Sequence, residues 1–194
     1  MGWGKPQLIS GFRNREFRYS GFIMERYLPA SDFLNAILND DVTFGESQFG
    51  RANLARLLTF VTDPEVSNRD WATFLISGLP DDSPEIHRVL LMASEDEDAD
   101  VRDEAIVGLA RRDRKTAITL IRPLLSKELG IVVLEAATIL GEPSLVPALR
   151  EIEAWEGGSE KVRHQLALAI AACEAGLGQD IPKQELNSQH RLSD

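Results

Sequence analysis

Three aspartates at alternate positions are the residues of this sequence whose spacing best suits a metal. Asp96, Asp98 and Asp100 lie in the stretch SEDEDADVRDEA, which begins as a calcium loop begins. A twelve-residue loop starting at Asp96 would need glycine at its sixth position and a bidentate glutamate at its twelfth. Those positions hold Val101 and Val107. We therefore predict no metal site, and expect Asp98 or Asp100 to cap the helix that follows.

The single cysteine and a histidine on the same predicted helix are candidates for thiol chemistry. Cys173 follows His164 by nine residues, which is about 13 Å along a helix axis, whereas proton transfer requires roughly 3 Å. Cys173 lies among alanines, as a small buried residue would. The sequence has no phosphate-binding loop, nucleophile elbow or glycine-rich dinucleotide turn. We therefore predict a protein that is not an enzyme and has no cofactor.

The charge balance restricts the class of partner. The 194 residues include 31 acidic and 21 basic side chains, a net charge of −10. Such a field repels nucleic-acid backbones and membrane surfaces and attracts basic proteins, although acidity also serves solubility alone. Residues 1–30 carry +3 and the remainder −13. The chain lacks a transmembrane-length apolar run, and MGWGKPQLIS does not resemble a signal peptide, so we expect a cytoplasmic protein.

Four related segments predict the elements that carry these residues. NRDWATFLISGL recurs as VRDEAIVGLARR after 33 residues, VVLEAATILG follows after a further 31, and VRHQLALAIA after a further 30. Apolar residues at spacings of three and four, such as Val101, Ala105 and Leu109, predict one buried face per helix. Since no long segment alternates with period two, the predicted class is all-α, built from stacked helical repeats.

Local signals predict where several helices begin and end. Ser83 is expected to cap a helix that starts at Pro84 and runs to about Ser94. Pro123 should kink or shorten its helix because proline lacks an amide proton. The sequence GEP at 141–143 predicts a helix end followed at once by a new helix.

DEDADVRDEAIVGLARR, followed by PLL, resembles the HEAT-like repeat of the phycobilin-lyase type, whose pattern is D-x-x-V-R-x-x-A-x-x-A-L. The resemblance covers about residues 62–176, and the third copy departs from it with Val133 in place of the arginine. It implies a right-handed α-solenoid, an alpha-alpha superhelix of stacked helical pairs. Residues 31–61 would then form a degenerate capping pair.

The two ends of the chain differ from the repeats. Residues 1–30 form a basic arm with six aromatic residues among its arginines. Such a composition can stack on nucleic-acid bases, but we favour an arm that folds onto the first helices. Residues 177–194 are polar and non-periodic, and we expect them to be frayed.

The resemblance also implies roles for particular residues. In HEAT-like repeats the recurring arginine bonds an aspartate in the adjacent turn and joins the repeats. The corresponding ladder residues are Arg69, Asp100, Arg102 and Arg163. Anion binding by the same arginines is the alternative.

In HEAT-like solenoids the second helix of each pair lines the concave side. The predicted partner face there consists of Asp70, Trp71, Phe74, Asp103, Glu104, Val107, Arg111, Glu135, Thr138, His164 and Gln165. Aromatic anchors with a polar rim suit a protein interface, whereas packing of Trp71 and Phe74 on the preceding repeat is the structural alternative.

These observations predict a non-catalytic scaffold that binds a basic protein on an acidic concave face. Its most specific form is a bacterial immunity or antitoxin-like binder of a basic toxin such as a nuclease. The resemblance also allows a bilin lyase or isomerase that handles a chromophore. A third alternative, a HEAT-like DNA-binding protein similar to the alkylpurine glycosylases, is opposed by the net charge of −10.

Overall fold

The computed structural model describes residues 27–125, 130–154 and 159–179, and within these ranges all regular structure is helical. This confirms the all-α prediction for the described residues. The α-helices are α1 (Asp32–Leu38), α2 (Gln48–Thr59), α3 (Val66–Gly78), α4 (Pro84–Ala93), α5 (Ala99–Arg112), α6 (Arg114–Leu124), α7 (Ile131–Leu140), α8 (Val146–Glu153) and α9 (Glu160–Ala175). Short 3₁₀ helices cover Phe60–Thr62, Pro143–Leu145 and Leu177–Gln179. In the described part of the chain, no helix combines the length and the apolarity needed to span a bilayer.

The chain divides into two compact units, Met1–Gly108 and Leu109–Asp194. The division falls inside the segment predicted to hold the repeats. Most of the predicted N-terminal arm and of the predicted frayed tail lies outside the described residues. Helices α1 and α2 fall within residues 31–61, where the capping pair was predicted.

Side-chain caps start several helices of the first unit. Ser47 Oγ accepts a hydrogen bond from the Gly50 amide at 2.9 Å, which begins α2. Ser83 Oγ accepts from the Ile86 amide and Pro84 occupies the first turn of α4, as predicted. The α4 face that includes Ile86, Val89 and Leu90 is buried. These short-range bonds satisfy amide groups that have no partner within the helix.

The core of the first unit lies between the apolar faces of its helices. Phe33 of α1 stacks on Phe60 with ring centroids 5.9 Å apart, and the Arg56 guanidinium lies 4.1 Å from the Phe33 ring centre. On α3 and α5, Ala72 and Ala105 are fully buried at equivalent repeat positions. Small residues at these positions allow neighbouring helices to approach closely.

Gly108 of α5 occupies one of the closest approaches. A Cβ atom there would lie 2.6 Å from Ser77 Oγ and 2.8 Å from Leu90 Cδ2. The Ser77 hydroxyl itself donates to the Glu104 carbonyl at 2.7 Å, which ties α3 directly to α5.

The second unit follows the predicted break points. Helix α6 ends one residue after Pro123, and α7 ends at Leu140. Gly141 then adopts a left-handed conformation with φ of 49°, as a helix C-terminus favours, and Pro143 opens the 3₁₀ turn before α8. Helix α9 packs on α7, where Cys173 Sγ donates to the Ala137 carbonyl at 3.4 Å.

Candidate functional site

Arg69 connects the loop before α3 to the loop before α5. Its Nε and Nη2 atoms donate to the two carboxylate oxygens of Asp96 at 2.8 and 3.1 Å. Its Nη1 atom donates to the carbonyls of Asp63 and Pro64 at 3.1 and 3.4 Å, and Nη2 also reaches Glu97 at 3.4 Å. The planar guanidinium therefore binds both loops at once, a geometry that lysine cannot reproduce.

The same local bonds recur one repeat later. Arg102 Nη1 donates to the carbonyls of Asp96 and Glu97, six and five residues before it, as Arg69 does to Asp63 and Pro64. Each aspartate also accepts from the amide two residues on. The aspartates and the arginines of the two loops are thus each related by the sequence offset of 33. The repeat therefore includes the hydrogen bonds of the loops as well as the helices.

The environment of Asp96 favours its charged form. Partial burial is the largest single influence and opposes ionisation, whereas hydrogen bonds from Arg69 and from the Asp98 amide favour it. Together with the positive charges of Arg69 and Arg102, they hold the pKa of Asp96 below its ordinary value. The same hydrogen bond raises the pKa of the Arg69 guanidinium, against the opposing effect of burial.

The predicted ladder requires one correction. The aspartate that Arg69 bonds is Asp96, four residues before the predicted Asp100. The capping residue of α5 is Asp98, whose carboxylate accepts from the amides of Asp100 and Val101. Asp96 was missed because the sequence alignment began at residue 68. Extending it backwards would have matched Asp63 with Asp96, each six residues before a repeat arginine.

Arg163, the other predicted ladder residue, is exposed near the start of α9. The Arg163 side chain is therefore more accessible to solvent than the Arg69 side chain, which is 9% exposed. A joining role for Arg163 stays a prediction.

The predicted partner face does not lie open to solvent in the first unit. Asp70 and Trp71 of α3 are 0% and 4% exposed, and Glu104 and Val107 of α5 are each 2% exposed. The prediction that these four side chains face outward is wrong. Because α3 and α5 are in direct contact, each helix offers solvent less of its surface than an isolated helix would.

Aromatic packing accounts for part of this burial. The Tyr27 ring stacks on Trp71 at a centroid distance of 6.5 Å, and Trp71 meets Phe74 edge to face at 5.7 Å. Phe74 and Asp103 are half-buried. The aromatic residues of this face thus pack within the first unit, nearer to the structural alternative than to exposed anchors.

The remaining face residues lie in the second unit, where two pairs come together. Arg111 approaches Glu135 at 3.6 Å, and Gln165 Nε2 donates to Thr138 Oγ1 at 3.2 Å. His164 is exposed beside Gln165. These residues form a polar surface whose role as an interface stays a prediction.

A second arginine link joins α6 to the turn after α7. Arg114 Nη2 bonds Glu142 at 2.9 Å, and Nη1 bonds the Leu140 carbonyl. Hydrogen bonds from Ser144 outweigh partial burial and, with Arg114, lower the pKa of Glu142. Nearby, burial raises the pKa of the Cys173 thiol, which disfavours the reactive thiolate.

The net negative charge of the protein is concentrated in the described part of the first unit. Residues 27–108 hold 17 acidic and five basic side chains, a net charge of −12, whereas residues 109–194 carry −1. Pairing within this segment can therefore neutralise at most five of its carboxylates. This concentration was not visible in the predicted face, which spread the acidic residues over both units.

Several of these carboxylates lie on the two loops that Arg69 joins. We call this surface the acidic edge, and it consists of Asp63, Glu65, Glu95, Glu97 and Asp98 on the loops and of Asp100 in the first turn of α5. Glu65, Glu95 and Glu97 are exposed, with 89% of the Glu97 side chain accessible to solvent. The edge is held in shape by the hydrogen bonds of Arg69 and Arg102. It is a strongly negative surface.

Comparison with known proteins gives a fold neighbour and no assigned activity. No protein-family model matches the chain. It is 29% identical to Protein YibA of Escherichia coli K12 over 121 residues, and equally to that of strain O157:H7. The match covers 62% of this chain and 40% of the length of those relatives. An X-ray structure of E. coli YibA aligns with a TM-score of 0.51 at 24% identity, covering 71% of this chain and 54% of that one, which shows similarity of fold alone.

Proposed function

We propose that this protein is a non-catalytic binding module that holds a basic protein partner on the acidic edge. The observation that carries the proposal is the net charge of −12 within residues 27–108, which remains after the five arginines of that segment have been counted. Exposed carboxylates steer a cationic partner and accelerate its association.

The proposal includes the architecture expected from the resemblance. Stacked HEAT-like helical pairs would form a solenoid, and the loops between pairs would then line one side of it. The recurrence of the Asp63–Arg69 geometry at Asp96–Arg102 supports this arrangement within the first unit. In its most specific form, the protein is a bacterial immunity or antitoxin-like binder that neutralises a basic toxin in the cytoplasm.

The acidic edge replaces the concave face as the proposed contact surface. Glu104, central to the predicted face, is 2% exposed, so it can meet a partner only if the structure changes. Glu65 and Glu95 are exposed and lie on the joined loops. Exposed charges of this kind set association rate and specificity more than total affinity.

The test compares two double charge reversals in the full-length protein. Glu65→Lys/Glu95→Lys changes the acidic edge, and Glu151→Lys/Glu160→Lys makes the same charge change on exposed residues of the second unit. Each pair includes one glutamate at a helix start, so effects on the helix dipole are matched. Tagged proteins capture partners from a bacterial lysate, and mass spectrometry identifies them.

We expect the edge variant to lose basic partners that the wild-type and control proteins both retain. For a purified partner, the edge variant should bind at least tenfold more weakly, about 1.4 kcal/mol, mainly through a slower association rate. If the edge variant and the control bind the purified partner with equal affinity, the proposal is wrong.

A separate measurement addresses the immunity form. If the captured partner is a nuclease or another toxin, adding the wild-type protein in equimolar amount should abolish its activity. Binding without inhibition would retain the scaffold and remove the neutralising role.

A further inference from the structure

Helix α9, the last α-helix among the described residues, carries apolar side chains on two sides. One side is buried within the second unit and includes Leu166, Ala169, Ile170 and Cys173. The other side is open to solvent. We call it the outer face of α9, and it consists of His164, Ala167, Leu168, Ala171, Glu174 and Ala175. Leu168 at its centre is 44% exposed. A helix that is apolar on both sides is typical of one packed between two neighbours.

The preceding repeat shows what covers the equivalent surface of its own helix. The offset of 30 places Ala137 of α7 on Ala167 of α9, and Thr138 on Leu168. In α7 these two positions lie against α9, because the Ala137 carbonyl accepts from Cys173 Sγ and the Thr138 hydroxyl accepts from another α9 side chain. Ala137 is accordingly fully buried, whereas Ala167 is exposed. The outer face of α9 is therefore the surface on which a following helix would lie.

The charges at the two ends of this surface indicate the direction and the source of such a helix. Arg163 and His164 are exposed at the N-terminal end of α9, and Glu174 is exposed at its C-terminal end. A helix of the same sequence that runs antiparallel brings the basic end of each copy opposite the acidic end of the other. Glu174 already bonds Arg150 of α8 at 2.6 Å, and a carboxylate can accept from a second donor as well. The outer face is thus complementary to a reversed copy of itself.

We propose that α9 of a second copy of this chain covers the outer face, antiparallel to the first about a two-fold axis at the level of residue 169. Ala167 of one copy then lies opposite Ala171 of the other, and His164 lies opposite Glu174. The small alanines allow the helix axes to approach to about 8 Å. The two Leu168 side chains meet beside the axis, so each removes apolar surface of the other from water.

The size of this contact sets the expected strength of the dimer. A two-fold interface uses the same surface on both copies, as the commonest homo-oligomers do. A single helix pair buries less than the roughly 1,200 Å² of a stable interface, so we expect a reversible dimer that depends on protein concentration. The inference is independent of the proposed partner binding, because the acidic edge belongs to the first unit.

Disulfide cross-linking tests the antiparallel register. Two full-length proteins, Ala167→Cys and Ala171→Cys, are made in a Cys173→Ala background, and one carries a tag so that the three possible products differ in mass. Cysteines form a disulfide only when their Cα atoms lie within about 7 Å. In the proposed dimer the two copies of residue 167 are displaced by about 6 Å along the helix axis, in addition to their lateral separation. We therefore expect oxidation of the mixture to join the two different variants in preference to two molecules of either one.

The matched control is the pair Ala52→Cys and Ala55→Cys, which makes the same substitution at exposed alanines of α2 in the first unit. This pair reports chance collisions, so it should give little product and no preference for the mixed one. A preference for products of one variant with itself would indicate parallel helices and would overturn the proposed register. A yield on α9 no higher than on α2 would overturn the dimer.

Sedimentation velocity tests association in solution without added thiols. Leu168→Glu places two carboxylates beside the proposed axis, and Met92→Glu makes the same charge change at a similarly exposed residue of α4, which is 41% exposed. Because like charges are brought together, we expect Leu168→Glu to dimerise at least about tenfold more weakly than the wild type, and Met92→Glu to match the wild type.

Circular dichroism checks that both variants keep their helical content. If Leu168→Glu loses helix, Leu168→Ser becomes the decisive variant, since it removes the apolar contact without adding charge. A wild-type protein that stays monomeric from micromolar to millimolar concentration would overturn the proposal, as would equal association of the Leu168 and Met92 variants. Capture of a basic partner is measured separately on the acidic edge, so either proposal can fail alone.

Discussion

At the scale of single residues, Arg69 makes contacts that no other basic residue type could make. Its side chain is 9% exposed, its fork binds both oxygens of Asp96, and its remaining donors meet two backbone carbonyls. Lysine would retain the charge but supply one donor group in place of a planar fork. The link between the loops before α3 and α5 therefore depends on guanidinium geometry as well as on charge.

We expect Arg69→Ala to lower the free energy of unfolding by about 3 kcal/mol, because it leaves the largely buried Asp96 carboxylate without its cation. Urea denaturation measures the loss. Arg88→Ala, an exposed arginine on α4, is the control and should change stability by about 0.5 kcal/mol or less. Similar losses for the two variants would show that the Arg69 link contributes little.

The Asp96 carboxylate makes this link dependent on pH. Its folded-state pKa lies below the ordinary aspartate value of 3.8, so the folded state binds a proton less readily than the unfolded state. The stabilisation is fully present above the ordinary pKa and is lost as pH falls through the lower folded value. The stability difference between wild type and Asp96→Asn should therefore be constant near neutral pH and shrink below about pH 4. Urea titrations at several pH values test this, and a difference that grows on acidification would contradict it.

At the scale of elements, helix boundaries and helix packing have different origins. The starts of α2 and α4 depend on Ser47 and Ser83 within three residues of the amides they cap. The approach of α3 to α5 depends instead on Gly108, which meets Ser77 from a helix some 30 residues away in sequence. Hydrogen bonds between residues close in sequence thus set the start of a helix, whereas a small residue such as Gly108 allows a second helix to pack closely against it.

Gly108→Ala tests this close approach. Alanine improves helix propensity by about 1 kcal/mol, but its Cβ would overlap Ser77 Oγ and Leu90, at a cost of about 1–3 kcal/mol. We expect a net loss of stability in thermal and urea unfolding. Ser77→Ala should relieve part of the overlap, so the double variant should be more stable than the sum of the single effects predicts. Strict additivity would show that α3 and α5 are not in tight contact at this point.

At the scale of the whole molecule, charge is distributed unevenly along the chain. Segments 1–26, 27–108 and 109–194 carry +3, −12 and −1. Like charges within residues 27–108 repel one another. Salt weakens this repulsion, most of all between exposed charges that lie farther apart than the Debye length, which is about 8 Å at physiological ionic strength.

We therefore expect the free energy of unfolding to rise as NaCl increases from low to physiological concentration. Glu65→Lys/Glu95→Lys removes charge from the repelling segment and should weaken this salt response. Glu151→Lys/Glu160→Lys, in the nearly neutral segment, should weaken it less. Urea midpoints at a series of salt concentrations provide the measurement, and identical salt slopes in the two variants would contradict the localised repulsion.

Sequence by itself determined the helical class, the break after Leu140, the cap at Ser83 and the buried positions Val101 and Ala105. These features depend on the spacing of residues within one or two helical turns, and that spacing can be taken from the sequence alone.

Only the tertiary structure decided which carboxylate Arg69 binds and which side chains of α3 and α5 meet solvent. Asp96 is 27 residues from Arg69; the repeat marks it as the equivalent of Asp63, but only the folded chain shows that Arg69 binds it and not Asp100. Trp71 and Glu104 lie at positions that the HEAT-like resemblance predicted to face outward, yet both are buried, and the Tyr27 ring stacks on Trp71. The solvent exposure of a side chain depends on which other parts of the chain pack against it. It is therefore determined only when segments that are distant in sequence come together.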